Sequence, residues 1–81
     1  MAEDFNPRLQ ALILEVVDKQ LLLNNPPETR TTLNRLIKSG HSEEQAKKLI
    51  GSVVTEFIFD AMKNNIPYDE ARYRRRLDEL K

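Results

Sequence analysis

The sequence contains no cysteine and no tryptophan, a single histidine and only two glycines. Without cysteine, disulfides, thiolate metal sites and thiol nucleophiles are excluded together, and a reducing compartment, the cytoplasm, is the expected location. Without a second histidine or any cysteine, His41 has no partners for a metal site of the usual nitrogen and sulfur ligands. An excess of one charge is also missing, because 13 Lys and Arg balance 13 Asp and Glu. No overall field draws the chain toward the polyanion of a nucleic acid or an anionic membrane. No uninterrupted apolar run approaches the roughly 18 residues of a spanning helix, and the opening MAEDFNPR carries acids where a secretory signal carries a basic segment. A membrane partner is therefore not expected.

What is present is an ordinary supply of core-forming side chains. With 81 residues, 40% of them hydrophobic, the chain can feed one core and not two. A single domain over residues 1–81 is expected, with residues 1–5 as a flexible arm ahead of it. The expected fold is all-α, a compact bundle of about four helices near residues 7–23, 26–39, 43–63 and 70–80.

Each helix is announced by its ends. Asn6-Pro7 supplies a cap and a first-turn proline for the first. At 100° per residue, Leu9, Leu12, Ile13, Val16 and Leu23 share one stripe, with Val17, Leu21 and Leu14 on its flank. The resulting apolar arc spans roughly 200°, more than one facing layer needs. Pro26 and Pro27 end that pattern, while Asn25 and Glu28 have the spacing of a capping box for the second helix, whose buried side is Leu33, Leu36 and Ile37. The third helix is the most strongly patterned: Ala46, Leu49, Ile50, Val53, Val54, Phe57, Ile58 and Ala61 recur at steps of three and four. Gly51 inside it reads either as the site of a close helix crossing or as a glycine the helix simply tolerates. Asn64-Asn65-Ile66-Pro67 closes it, Tyr68 and Tyr73 form a hydrophobic staple, and Tyr73, Leu77 and Leu80 dock the fourth helix.

The stretch Ser39-Gly40-His41-Ser42-Glu43-Glu44-Gln45 has the look of a small active site, yet each residue has a structural duty. Gly40 suits the left-handed position past a helix end, Ser42 and Gln45 make a capping box, and two glutamates complement the positive end of the next helix. His41 is read as a linker residue. The run Arg72-Tyr73-Arg74-Arg75-Arg76 resembles a nucleic-acid patch until the acids are counted. Glu70 with Arg74, Arg74 with Asp78 and Arg75 with Glu79 are all four apart, which predicts a solvated face of ion pairs.

Pro-Pro-Glu opening a helix, Gly-His-Ser-Glu-Glu-Gln-Ala between helices and Asn-Asn-Ile-Pro-Tyr-Asp-Glu-Ala-Arg-Tyr before the last one resemble a family of small uncharacterised bacterial all-helical proteins. The resemblance covers residues 24–80 and implies the fold alone. The loop from Ser39 to Ala46 is similar to the first interhelical loop of ubiquitin-associated domains, with His41 in place of their aromatic residue and a much longer helix after it.

These readings favour a non-enzymatic interaction module, acting on an unknown protein partner or on a second copy of itself. No Gly-rich phosphate loop, metal spacing or isolated carboxylate pair nominates a catalytic, metal or cofactor-binding residue. The candidate interaction surface is Leu14, Leu21 and Phe59, which lie off the main stripes. The alternative is nucleic-acid binding through the second helix, its turn and the third helix. It is disfavoured because Glu43 and Glu44 occupy the start of the would-be recognition helix.

Overall fold

In the computed structural model, which describes residues 7–81, four helices follow in order: α1 (Pro7–Leu23), α2 (Pro27–Lys38), α3 (Glu43–Lys63) and α4 (Glu70–Asp78). The described residues contain no strand, so the architecture is an all-α bundle. The cap expected at Asn6 and the arm expected over residues 1–5 lie outside the described residues.

Three left-handed residues separate the helices: Asn24 (φ 52), Gly40 (φ 112) and Asn65 (φ 53). Two of them are asparagine, the side chain that tolerates this region best after glycine. At the end of α2, the Gly40 N–H reaches the Ile37 carbonyl at 3.0 Å and the His41 N–H the Leu36 carbonyl at 3.1 Å. This paired closure satisfies carbonyls the helix would otherwise leave open. The next helix starts as its sequence demands. Ser42 Oγ accepts from the Gln45 N–H at 3.1 Å, and Gln45 Oε1 accepts from the Ser42 N–H at 3.2 Å. Asp69 likewise caps α4, accepting from the Ala71 and Arg72 N–H groups.

Asn25 does not cap α2. Its main-chain N–H closes α1 on the Gln20 carbonyl at 3.0 Å, and α2 begins one residue later than expected, with Pro26 in the cap position and no side-chain hydrogen bond there. Glu28 therefore has no capping partner to reach back to. It meets Arg74 instead, at 3.5 Å.

The core is built from Ile13, Val17 and Leu21 of α1, Leu33 and Leu36 of α2, the Ala46 to Phe57 face of α3, and Tyr73 and Leu77 of α4. Ile13, Val17 and Leu21 are four apart, a line turned by roughly a third of a circle from the stripe through Leu12, Val16 and Leu23. Two contacts set this rotation. A Cβ placed on Gly51 would come within 3.0 Å of Ile13 Cγ2, so the glycine is the notch through which α1 crosses α3. On the other side, Gln20 Oε1 accepts from Thr29 Oγ1 at 2.8 Å and from the Tyr73 hydroxyl at 3.1 Å, tying α1 to α2 and α4. Burial pushes the Tyr73 phenol up, and the bonds to Thr29 and Gln20 pull it partly back. Thr29 and Thr32, both fully buried, give α2 a polar inner edge that apolar periodicity does not reveal.

The arginines of α4 mostly reach across helices rather than along their own. Arg76 grips Glu56 through Nε and Nη2 at 2.9 to 3.2 Å, Arg72 pairs with Asp60 and Arg74 with Glu28. Among the described residues the one pair formed locally at this helix end is Arg76 with Glu79, spaced three apart. The predicted pairs are not the ones formed, because the half-buried carboxylates of α2 and α3 offer less screened partners than acids beside them on a nine-residue surface helix. Arg35 of α2 completes this corner by donating to the Leu77 and Leu80 carbonyls at 2.9 and 2.7 Å, which caps the end of α4.

The Gly51 notch is open to direct test. Gly51→Leu forces the α1–α3 crossing apart and lowers stability in urea unfolding by about 1–3 kcal/mol, the cost of overpacking a filled core. Stability equal to the wild type would show that nothing presses on this position.

Candidate interaction surface

Rotating α1 to bury Ile13, Val17 and Leu21 turns the other edge of its apolar arc outward. Leu12 is 54% exposed, Val16 37%, Leu22 81% and Leu23 66%. By helical geometry Leu12, Val16 and Leu23 lie within about 40° of one another and extend over about 16 Å. Leu9, on the same line, packs against the core and ends the free stripe. Glu15, Asp18 and Lys19 rim a shallow depression with Leu12, Val16 and Leu22. Asp18 is engaged: its carboxylate holds the Lys47 ammonium at 2.8 Å, and this bond chiefly raises the Lys47 pKa. Glu15 and Lys19 are exposed and belong to none of the ion pairs among the described residues.

The three residues expected to form a surface are not brought together. Leu21 is only 8% exposed and belongs to the core, so it is withdrawn from any surface. Leu14 is half-buried against the first turn of α3, beside Glu43, Glu44 and Lys47. Phe59 is exposed as expected, but lies about 24 Å further along α3 than Glu43. It stands near Met62, itself exposed, and the Lys63 ammonium lies 5.5 Å from its ring centroid. Leu12, Val16 and Leu23, assigned to the core by periodicity, are the residues the fold leaves outside.

The charged surfaces are largely internally balanced. Lys47 is shared by Asp18 and Glu43, Lys48 pairs with Glu44, and Arg35 is spent on the end of α4. Arg72 lies over the Phe57 ring at 4.4 Å while meeting Asp60 and Glu56, so it is fixed by stacking and charge together. The Arg72 guanidinium holds the Asp60 carboxyl below the usual carboxylate range, against the opposing effect of burial. Through their ion pairs with Arg72 and Arg76, Glu56 and Asp60 clamp α3 to α4. His41 is half-buried with Nε2 3.0 Å from the Lys81 backbone oxygen, joining the α2–α3 turn to the end of the chain described. Among the described residues there is no group of three or more His, Cys, Asp or Glu side chains able to hold a metal ion, and no helix long and apolar enough to cross a membrane.

No protein family, no curated protein and no solved structure matches this chain.

Two expectations come from these charges. The folded Asp60 value lies below the unfolded one, near 4, so its pairing contributes stability above that pH and loses it as pH falls through the folded value. Asp60→Asn should flatten the acid limb of a stability profile below about pH 4; an unchanged limb would show that the pair is not formed. In a gel-shift titration at physiological salt, duplex DNA should show no submicromolar binding, because Glu43 and Glu44 head α3 and the lysines beside them, Lys47 and Lys48, are paired. Tight, salt-sensitive binding lost on reversing Lys47 and Lys48 would make the turn a nucleic-acid interface.

Proposed function

We propose that this chain is a small, non-enzymatic helical interaction module of the bacterial cytoplasm, and that its working surface is the outward edge of α1. The observation that carries the reading is the exposure of Leu12 (54%), Leu22 (81%) and Leu23 (66%) beside Val16 on one helix. That exposure equals about two whole leucine side chains left in water, on the order of 3–6 kcal/mol of unused burial in a domain of marginal stability. Scattered exposed leucines need no explanation, whereas a contiguous apolar stripe rimmed by charges is the usual mark of a binding surface. The absence of cysteine supports a reducing compartment, and the resemblance of residues 24–80 to small bacterial helical proteins supports the source.

The reading separates residues that fold the chain from residues that serve a partner. Leu12→Gln with Leu23→Gln should leave folding stability within about 0.5 kcal/mol of the wild type, as for surface substitutions generally. A benzophenone side chain placed at Leu22 should give a covalent adduct in the producing cell, and the double substitution should abolish it. Unfolding of the double variant would return these leucines to the core of the chain itself, and absence of any adduct would remove the surface.

A further inference from the structure

We infer that the occupant of the α1 surface is α1 of a second copy of this chain, packed antiparallel about a two-fold axis. The inference rests on the reading of that edge as a binding surface and adds the identity of the partner. Leu9, Leu12, Val16, Lys19 and Leu23 are spaced three, four, three and four, the repeat with which one helix meets another along its length. One member of the repeat is a lysine, and it decides the direction. In a parallel pair, each position of the stripe faces its own equivalent, so Lys19 would face Lys19 across a desolvated seam. An antiparallel pair with its axis crossing between positions 17 and 18 sets residue 19 opposite residue 16 of the partner copy and residue 12 opposite residue 23.

In that register Leu12 meets the partner copy's Leu23 at both ends, the two Val16 side chains fill the centre, and each Lys19 stem covers a Val16. The Lys19 ammonium then lies one position from the partner copy's Glu15. Both charges are exposed and belong to no ion pair among the described residues, so neither has to be taken from another partner. The surface is thus complementary to itself in shape and charge, as an isologous two-fold contact requires.

Sedimentation equilibrium over a dilution series tests this with charge exchanges, circular dichroism confirming the fold. The wild type should be a concentration-dependent dimer. Glu15→Lys and Lys19→Glu should each raise the dissociation constant by about tenfold or more, since each sets like charges against one another twice in the dimer. The double exchange, which has the same composition as the wild type, should restore it. An equimolar mixture of the two single variants should also associate, because every Lys then faces a Glu. A wild-type monomer at every concentration, or single variants that dimerise as tightly as the wild type, would overturn the antiparallel pair. The mass of the Leu22 adduct separates the two readings: two copies of this chain supports both, a foreign mass with a monomeric wild type leaves the binding surface and removes self-association, and no adduct removes both.

Discussion

The closeness of Ile13 to Gly51 fixes the rotation of α1, and most of what is notable about the surface follows from that rotation. With no side chain at position 51, α1 seats its Ile13 methyl directly over the α3 backbone, 3.0 Å from where a Cβ would stand. The line Ile13, Val17 and Leu21 is then committed to the core. A helix cannot bury a 200° apolar arc against one layer, so committing one edge commits the other to solvent or to a partner. Leu12, Val16 and Leu23 are outside because Ile13 is inside.

Polar groups reinforce this choice, where apolar burial alone would tolerate several rotations. Gln20 sits at the boundary of the buried edge, and its one oxygen takes hydrogen bonds from Thr29 and Tyr73. A turn of α1 toward burying Leu12 and Val16 would carry Gln20 off both hydroxyls. Tyr73 is 1% exposed and Thr29 fully buried, so neither hydroxyl could turn to water in its place. Losing a buried hydrogen-bond partner costs about 1–3 kcal/mol per group, comparable to burying another leucine. The polar network therefore acts as a register pin.

Helix number and helix ends were legible in the sequence because capping is local. Ser42 with Gln45, the left-handed Gly40, Asp69 at the start of α4 and the Tyr68–Tyr73 staple, with ring centroids 5.7 Å apart, depend only on residues a few positions apart. The exception, Asn25, failed because α2 begins one residue later than its spacing suggests, with Pro26 and not Asn25 in the cap position. Which edge of α1 is buried was not legible, since periodicity gives the width of an apolar arc and not its orientation. Leu21 and Leu12 exchange roles on a decision made by Gly51, Thr29 and Tyr73, up to 53 positions away from Gln20. The ionic partners of α4 were misassigned for the same reason. Spacing of four identifies neighbours on a helix but is blind to Glu56, Asp60 and Glu28 on the helices it packs against.

Two kinds of surface consequently coexist on this chain, and their chemistry differs. Around α3 and α4, charges are drawn inward: Glu56 holds Arg76, Asp60 holds Arg72, Arg72 stacks on Phe57, and Arg35 closes the end of α4. Groups so engaged have little left to offer a ligand, and breaking their pairs to bind one would oppose the fold. Along the outer edge of α1 the situation is reversed, with leucines in water and Glu15 and Lys19 in none of the ion pairs among the described residues. The outer edge of α1 therefore combines exposed leucines with a Glu and a Lys of opposite sign on one helix, which suits it to association.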